Sequence, residues 1–187
     1  MSIKDGKRLE QFLDSLHATY RAQGNAVIAK VPNPVRILSK GNPRQRKAPL
    51  SCHLLPPVWV DYTGVVMGGI AVAIEAKCTT DKGPSFALSK LAKHQHQTLT
   101  LVNAMGGIAM LYVRRIVGLQ RDDYLVPISF IDELEKRSFR WSEVEQYRVP
   151  TGRTWLDCLT PGYHFVTDGP ADVRHCWIEY CTNGWAE

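Results

Sequence analysis

Residues 108–113 read Ile-Ala-Met-Leu-Tyr-Val, an unbroken apolar run entered through Gly106-Gly107. A short continuous run of this kind is predicted to be a central strand buried on both faces. Such a strand needs helices or further sheet above and below it, so the chain is confined to architectures with a covered sheet. The flanking patterns supply the cover. Residues 6–20 place Leu9, Phe12, Leu13, Leu16 and Tyr20 at helical spacing and stop at Gly24. Residues 85–103 place Leu88, Leu91, Ala92, Leu99 and Val102 on one face of a second helix. Strands are predicted at 26–31, 58–62, 70–77 and 124–128, with turn chemistry at Thr63-Gly64, a loop at 81–84 and a short helix over 131–136. The expected fold is α/β, a mixed sheet flanked by helices, in one domain of 187 residues.

Charge distribution adds a second constraint. The formal net charge is +5. Residues 33–57 alone hold Arg36, Lys40, Arg44, Arg46 and Lys47 without one acid, together with Pro34, Pro43, Pro49, Pro56 and Pro57. The segment is expected to form a rigid, extended, positive projection, either a solvated loop or a surface that binds polyanions through phosphate contacts and counterion release. No apolar run approaches the roughly 20 residues of a membrane span. The first ten residues lack a signal-peptide core, and a cytoplasmic location is expected. Five cysteines, Cys52, Cys78, Cys158, Cys176 and Cys181, form no CxxC pair and are read as reduced thiols. His164, His175, Cys176 and Cys181 fit no common zinc spacing. Beyond about residue 145 the periodicity fades, leaving a tail with Trp155, Tyr163, Trp177, Tyr180 and Trp185 that packs on the core or contacts a partner.

Three residues, Asp61, Glu75 and Lys77, carry candidate chemistry, and two more, Gln95 and Glu10, could support them. In the strand at 70–77, alternation puts Ile70, Val72 and Ile74 on one face and Ala71, Ala73, Glu75 and Lys77 on the other. Asp61, at the end of the preceding strand, would approach Glu75 across a hairpin. Two carboxylates suit Mg²⁺ or Mn²⁺, and a lysine beside them could orient a nucleophile or offset developing charge on a phosphodiester. A surface Glu-Lys pair on an edge strand is the plain alternative. Gln95 falls on the apolar face of its helix and needs a polar partner there. Glu10 lies on the flank of the first helix's stripe, either facing solvent or reaching the site as a third acid.

These pieces, in order, resemble the RecU family of Holliday junction resolvases within the PD-(D/E)xK nuclease superfamily. The resemblance rests on Gly6-Lys7-Arg8-Leu9-Glu10, the run 26–34, Val60-Asp61-Tyr62-Thr63-Gly64 with Gly68, and Glu75-Ala76-Lys77-Cys78-Thr79. Ser85-Phe86, Leu88, His94-Gln95 and Gly106-Gly107-Ile108 continue it, so that it spans roughly residues 6–130. Val60 stands where the family often has a hydroxyl residue, and Thr63 where Asn is common.

The resemblance implies a restriction-endonuclease-like fold and a homodimer that binds branched DNA and nicks a four-way junction in pairs with Mg²⁺ or Mn²⁺. It makes Asp61 and Glu75 metal ligands, Lys77 the catalytic lysine, Gln95 a site residue and Glu10 a supporting acid. Residues 33–57 take the place of the family's stalk, which gives Arg36, Lys40, Arg44, Arg46 and Lys47 a DNA-binding role. Residues 1–187 are then one nuclease domain, with about 145–187 a C-terminal extension. A recombinase or helicase partner is left open. So are two other activities: a related nuclease cutting or nicking duplex or flap DNA, and a DNA-binding recombination modulator without cleavage.

Overall fold

The computed structural model describes residues 3–39, 51–55 and 59–159. The chain opens with α1 (Ile3–Ala22), β1 (Ala26–Lys30), β2 (Val35–Ser39) and β3 (Ser51–Leu54). Then come β4 (Tyr62–Val66), β5 (Ile70–Thr79), β6 (Ser85–Ala87) and, after a short 3₁₀ turn, α2 (Lys93–Ala104). β7 (Ile108–Val117), β8 (Gln120–Pro127), α3 (Ile128–Asp132) and β9 (Ser138–Arg140) follow, and three 3₁₀ turns complete the described chain. No helix among the described residues is long and apolar enough to cross a membrane.

The main sheet has the order β1-β4-β5-β7-β8 and is mixed. β5 and β7 run parallel, which requires the crossover that α2 provides, while β1-β4, β4-β5 and β7-β8 are antiparallel. The apolar run 108–113 lies in β7 between β5 and β8, and all six of its residues are buried. Alternation along the strands divides the core in two. Val72, Ile74, Met110 and Tyr112 face α1 with Leu9 and Leu13, whereas Ala73, Leu111 and Val113 face the α2 side with Leu99, Phe139 and Val144. Each buried Leu, Ile or Phe in these layers contributes about 1.5–3 kcal/mol. The expected α/β sheet between helices is therefore observed.

Four local expectations differ from the structure. The strand expected at 58–62 starts at Tyr62 and runs to Val66, so Asp61 precedes it and Thr63-Gly64 lies inside it. Gly64 serves close strand approach rather than a turn: a Cβ there would meet the Val27 carbonyl oxygen at 2.1 Å. The reversal comes later, at Gly68 and Gly69, both with positive φ. Gly64→Ala is expected to push β1 away from β4 and destabilise the fold by about 1–3 kcal/mol, seen as a lower Tm.

The helix expected at 85–103 begins only at Lys93. Its first part is drawn into β6, where Phe86 stacks on Phe139 of β9 with ring centroids 5.2 Å apart. Tertiary pairing overrides local periodicity there. The strand expected at 124–128 begins at Gln120, because β7 and β8 form one long hairpin about Gly118, φ 64°. The short helix expected at 131–136 is α3, Ile128–Asp132, set by burial of Ile128 and Ile131.

The basic segment carries the antiparallel pair β2-β3, with Val35 opposite Leu54, inserted between β1 and β4 as a separate two-stranded sheet. Arg36 lies on β2, opposite His53. Lys40, Arg44, Arg46 and Lys47 lie outside the described residues. Of the tail, residues 145–159 pack on the core as turns, not strands. Trp155 is 1% exposed and meets His17 and Tyr20 of α1 edge-on. Tyr163, His164, His175, Cys176, Trp177, Tyr180, Cys181 and Trp185 fall outside the described residues. Cys78 and Cys158 are buried free thiols.

Candidate active site

The sheet register decides what can meet. Tyr62 pairs with Ile74, so the residue before Tyr62 and the residue after Ile74 face each other. The Asp61 amide N–H donates to Glu75 Oε2 at 3.2 Å, and the Ala76 amide N–H donates to Asp61 Oδ2 at 3.0 Å. The two acids are thus locked backbone to side chain. Glu75 is 1% exposed on the α2 side of β5. Lys77, two residues on and on the same face, donates from Nζ to Glu75 Oε1 at 2.6 Å.

α2 closes the cluster. Gln95 donates from Nε2 to Glu75 Oε1 at 2.6 Å, and its Oε1 accepts from the Ala92 amide at 3.0 Å and from Lys77 Nζ at 3.2 Å. One amide therefore caps the helix start and braces the carboxylate. The spacing from Leu88 and Leu91 is not what places Gln95, since neither residue is on α2. Its position in the first turn of a helix laid against β5 does. The two alanines of the Glu75 face do not leave a void: Ala73 is fully buried in the α2-side core, and Ala71 is exposed.

Electrostatics mark Glu75 out. Burial, and secondarily the Asp61 carboxylate, push its pKa up to about 7 against the opposing pull of Lys77. Two acids share this corner with a single ammonium. The surplus negative charge and hard oxygen donors suit a divalent cation, and Asp61 and Glu75 are the residues that could hold one. Among the described residues no group of three or more His, Cys, Asp or Glu encloses a metal. The donor set therefore fits a cation that keeps much of its water, as Mg²⁺ does.

Glu10 is one link removed. Its carboxylate is held by Lys30 Nζ at the end of β1. The Lys30 ammonium is stabilised first by that hydrogen bond and also by the charges of Glu10, Asp14 and Asp61, which raise its pKa. Tyr62, fully buried beside Asp61, places its hydroxyl 3.0 Å from Asp14 Oδ1 and 3.2 Å from the Glu10 carbonyl, with one hydrogen to donate between them, and so ties α1 to the strand that positions the acid. Burial and the nearby Asp14 hold that phenol protonated. Sequence reasoning assigned no role to Lys30, Asp14 or Tyr62. The signal for Lys30 was present: alternation along β1 puts it on the face of Ala26 and Ile28, toward α1.

The chain is similar in sequence to known proteins. The family model described as Recombination protein U matches residues 4–150. Among curated proteins, the Holliday junction resolvase RecU of Staphylococcus carnosus is 34% identical over 110 residues, 58% of this chain and 52% of that protein. The protein of the same name from Listeria welshimeri is 34% identical over 127 residues, 66% of this chain and 60% of its own length. That from Geobacillus thermodenitrificans is 31% identical over 157 residues, 79% and 76% of the two chains. The chain thus spans roughly half to three-fifths of the first two relatives. A 1.6 Å structure of Archaeoglobus fulgidus Hjc, a Holliday junction resolvase, aligns with a TM-score of 0.43 at 16% identity, covering 75% of this chain and 92% of that one. With the family model extending over most of its length, from the first turn of α1 to the turns after β9, this chain belongs to the RecU family.

Proposed function

We propose that this protein is an endodeoxyribonuclease that resolves four-way DNA junctions by paired, metal-dependent nicks, acting as a homodimer in the cytoplasm. The observation that carries the proposal is the buried Glu75 carboxylate, bridged to Asp61 and braced by Lys77 and Gln95 at the crossover of β5 and α2. Membership of a family whose similar members are named Holliday junction resolvases supplies the substrate class. The whole chain, 1–187, is taken as one nuclease domain.

Asp61 and Glu75 would hold Mg²⁺ or Mn²⁺. Bound there, the cation would keep both carboxylates ionised, polarise the scissile phosphate and lower the pKa of the attacking water. The chain's own residues do the rest. Two of the three Lys77 N–H groups are committed, to Glu75 and Gln95, which fixes the ammonium and leaves the third for the phosphate or the nucleophile. Gln95 spends one amide hydrogen on Glu75 and keeps the other. The pair of Lys30 with Glu10 places a cation in the field of Asp61 on the α1 side. The β2-β3 hairpin, with Arg36 and the basic residues 40–47, is assigned to the junction.

Symmetry tests the junction role. Strand-resolved mapping should show nicks at symmetric phosphates of two opposing strands, since paired cutting needs two sites related by a dimer axis. Equal cutting of linear or flapped duplex would instead assign the site to duplex cleavage. The stalk is tested separately. Neutralising Arg44, Arg46 and Lys47 together is expected to weaken junction binding and reduce its log–log salt slope by about 3. An unchanged slope removes the stalk from the interface.

A further inference from the structure

Beyond Lys77, β5 continues to Thr79 on the same face, about 7 Å further along the strand. Two cations converge on Thr79. Lys90 donates from Nζ to Thr79 Oγ1 at 3.1 Å and sits over the Phe86 ring, 5.1 Å from its centroid. Arg115 of β7 is the register neighbour of Thr79, and its guanidinium sits over the Trp141 ring at 4.8 Å. Phe86 and Trp141 touch edge to face at 6.1 Å, so the two cations rest on adjoining rings of one aromatic platform. The Gly83 carbonyl staples the neighbouring loop to it, accepting from Trp141 Nε1 at 3.1 Å and from Arg115 Nη2 at 3.4 Å.

Neither cation has a carboxylate within ion-pair distance among the described residues. Asp122 lies directly opposite Arg115 in the sheet, yet it is occupied by Arg148 and by Gln120 Nε2 at 2.8 Å. Asp81, in the adjoining loop, turns Oδ1 to the Gly83 amide at 2.9 Å. Arg115 Nε is buried without any hydrogen-bond partner. A partly buried guanidinium with no counter-ion is costly unless an anion meets its accessible edge. Its planar fork suits a phosphate.

We infer that Lys90 and Arg115, seated on the Phe86–Trp141 platform beside Thr79, form a phosphate cradle that holds the backbone of the DNA strand next to the scissile phosphodiester. The inference rests on the proposed nuclease role of the Asp61–Glu75–Lys77 site but assigns a contact outside both that site and the basic stalk.

The test is binding of a labelled four-way junction in EDTA across 50–200 mM salt, which needs no cleavage. Lys90→Gln is expected to weaken binding about fivefold at fixed salt and to reduce the log–log salt slope by about 0.9, with Lys90→Arg restoring the slope. Arg115→Gln should act alike, and the double variant should lose about twice the slope. Lys90 is exposed, so Lys90→Gln remains informative if Arg115→Gln fails to fold. Wild-type affinity and slope in Lys90→Gln and in the folded double variant would overturn the cradle while leaving the nuclease proposal intact. A wild-type protein that binds the junction, with these slopes lost in the variants, but never cuts it would sink the nuclease proposal and with it the place of the cradle beside a scissile bond, leaving Lys90 and Arg115 as phosphate contacts. Absence of any salt-dependent DNA binding by the wild type would overturn both.

Discussion

Glu75→Gln is expected to lower junction cleavage by about 10²–10³-fold while leaving junction affinity nearly unchanged, and at the same time to raise the stability of the metal-free protein. The first effect follows from removing one of the two anionic oxygen ligands and the charge that fixes Lys77; losing one such electrostatic element costs roughly 10²–10³ in comparable sites. The second follows from where Glu75 sits. Its pKa is pushed up from 4.5 to about 7 by burial first and by Asp61 second. The folded state then binds a proton that the unfolded state has released, so stability falls as pH rises from about 4.5 to 7 and stays level above. The loss is on the order of 3 kcal/mol. Gln keeps the shape and, with its oxygen in the Oε1 position, can accept from Lys77 and Gln95 without the charge, giving up only the long contact from the Asp61 amide. Because the His17 titration adds stability over nearly the same window, the Glu75 effect is read as a difference: in EDTA the Tm of Glu75→Gln should rise relative to that of the wild type from pH 4.5 to 7 and hold that gap above. A variant that cuts normally, or a Tm gap between Glu75→Gln and the wild type that does not grow over that window, contradicts the assignment. Adding Mg²⁺ should remove most of the wild-type penalty, because a bound cation stabilises the ionised pair.

Trp155→Ala is expected to cost about 3–5 kcal/mol, a fall in Tm of roughly 10 °C for a chain of this size. Trp155 is 1% exposed, packs edge-on against His17 and Tyr20, and donates from Nε1 to His17 Nε2 at 3.3 Å. That bond leaves the proton of the neutral ring on Nδ1. Burial, opposed by the Asp14 charge, lowers the His17 pKa to about 4. The depressed value means that His17 costs stability as pH falls from about 6.5 to 4, where the unfolded state takes up a proton that the folded state refuses. Opening the pocket by Trp155→Ala should move the His17 titration back toward 6.5, observable by NMR. A Tm change below about 2 °C would show that residues 145–159 are dispensable to the fold.

Much of this was legible in the sequence, and the exceptions share a cause. The continuous run at 108–113 and the alternation at 70–77 are determined by burial on two faces, a property each strand carries in its own residues. The approach of Asp61 to Glu75 followed from the short connection between their strands, even though the reversal lies at Gly68-Gly69 and not at Thr63-Gly64. Gly64 misled because a glycine needed for close approach to Val27 looks the same in sequence as a glycine needed for a turn. Residues 85–92 misled because Phe86 obeys a partner 53 positions away, Phe139, rather than its neighbours. The Phe86–Trp141 platform was invisible for the same reason: it joins residues across strands, not along one.

The most direct test of the central claim is a cleavage time course on an immobile four-way junction and on matched linear duplex, in Mg²⁺ and in EDTA, with wild type and Asp61→Asn side by side. The account predicts paired nicks by the wild type on the junction alone, in Mg²⁺ alone, and none by Asp61→Asn, which should still bind the junction. Cleavage that persists in EDTA, or in Asp61→Asn, would contradict the assignment of Asp61 and Glu75 as the metal-holding centre.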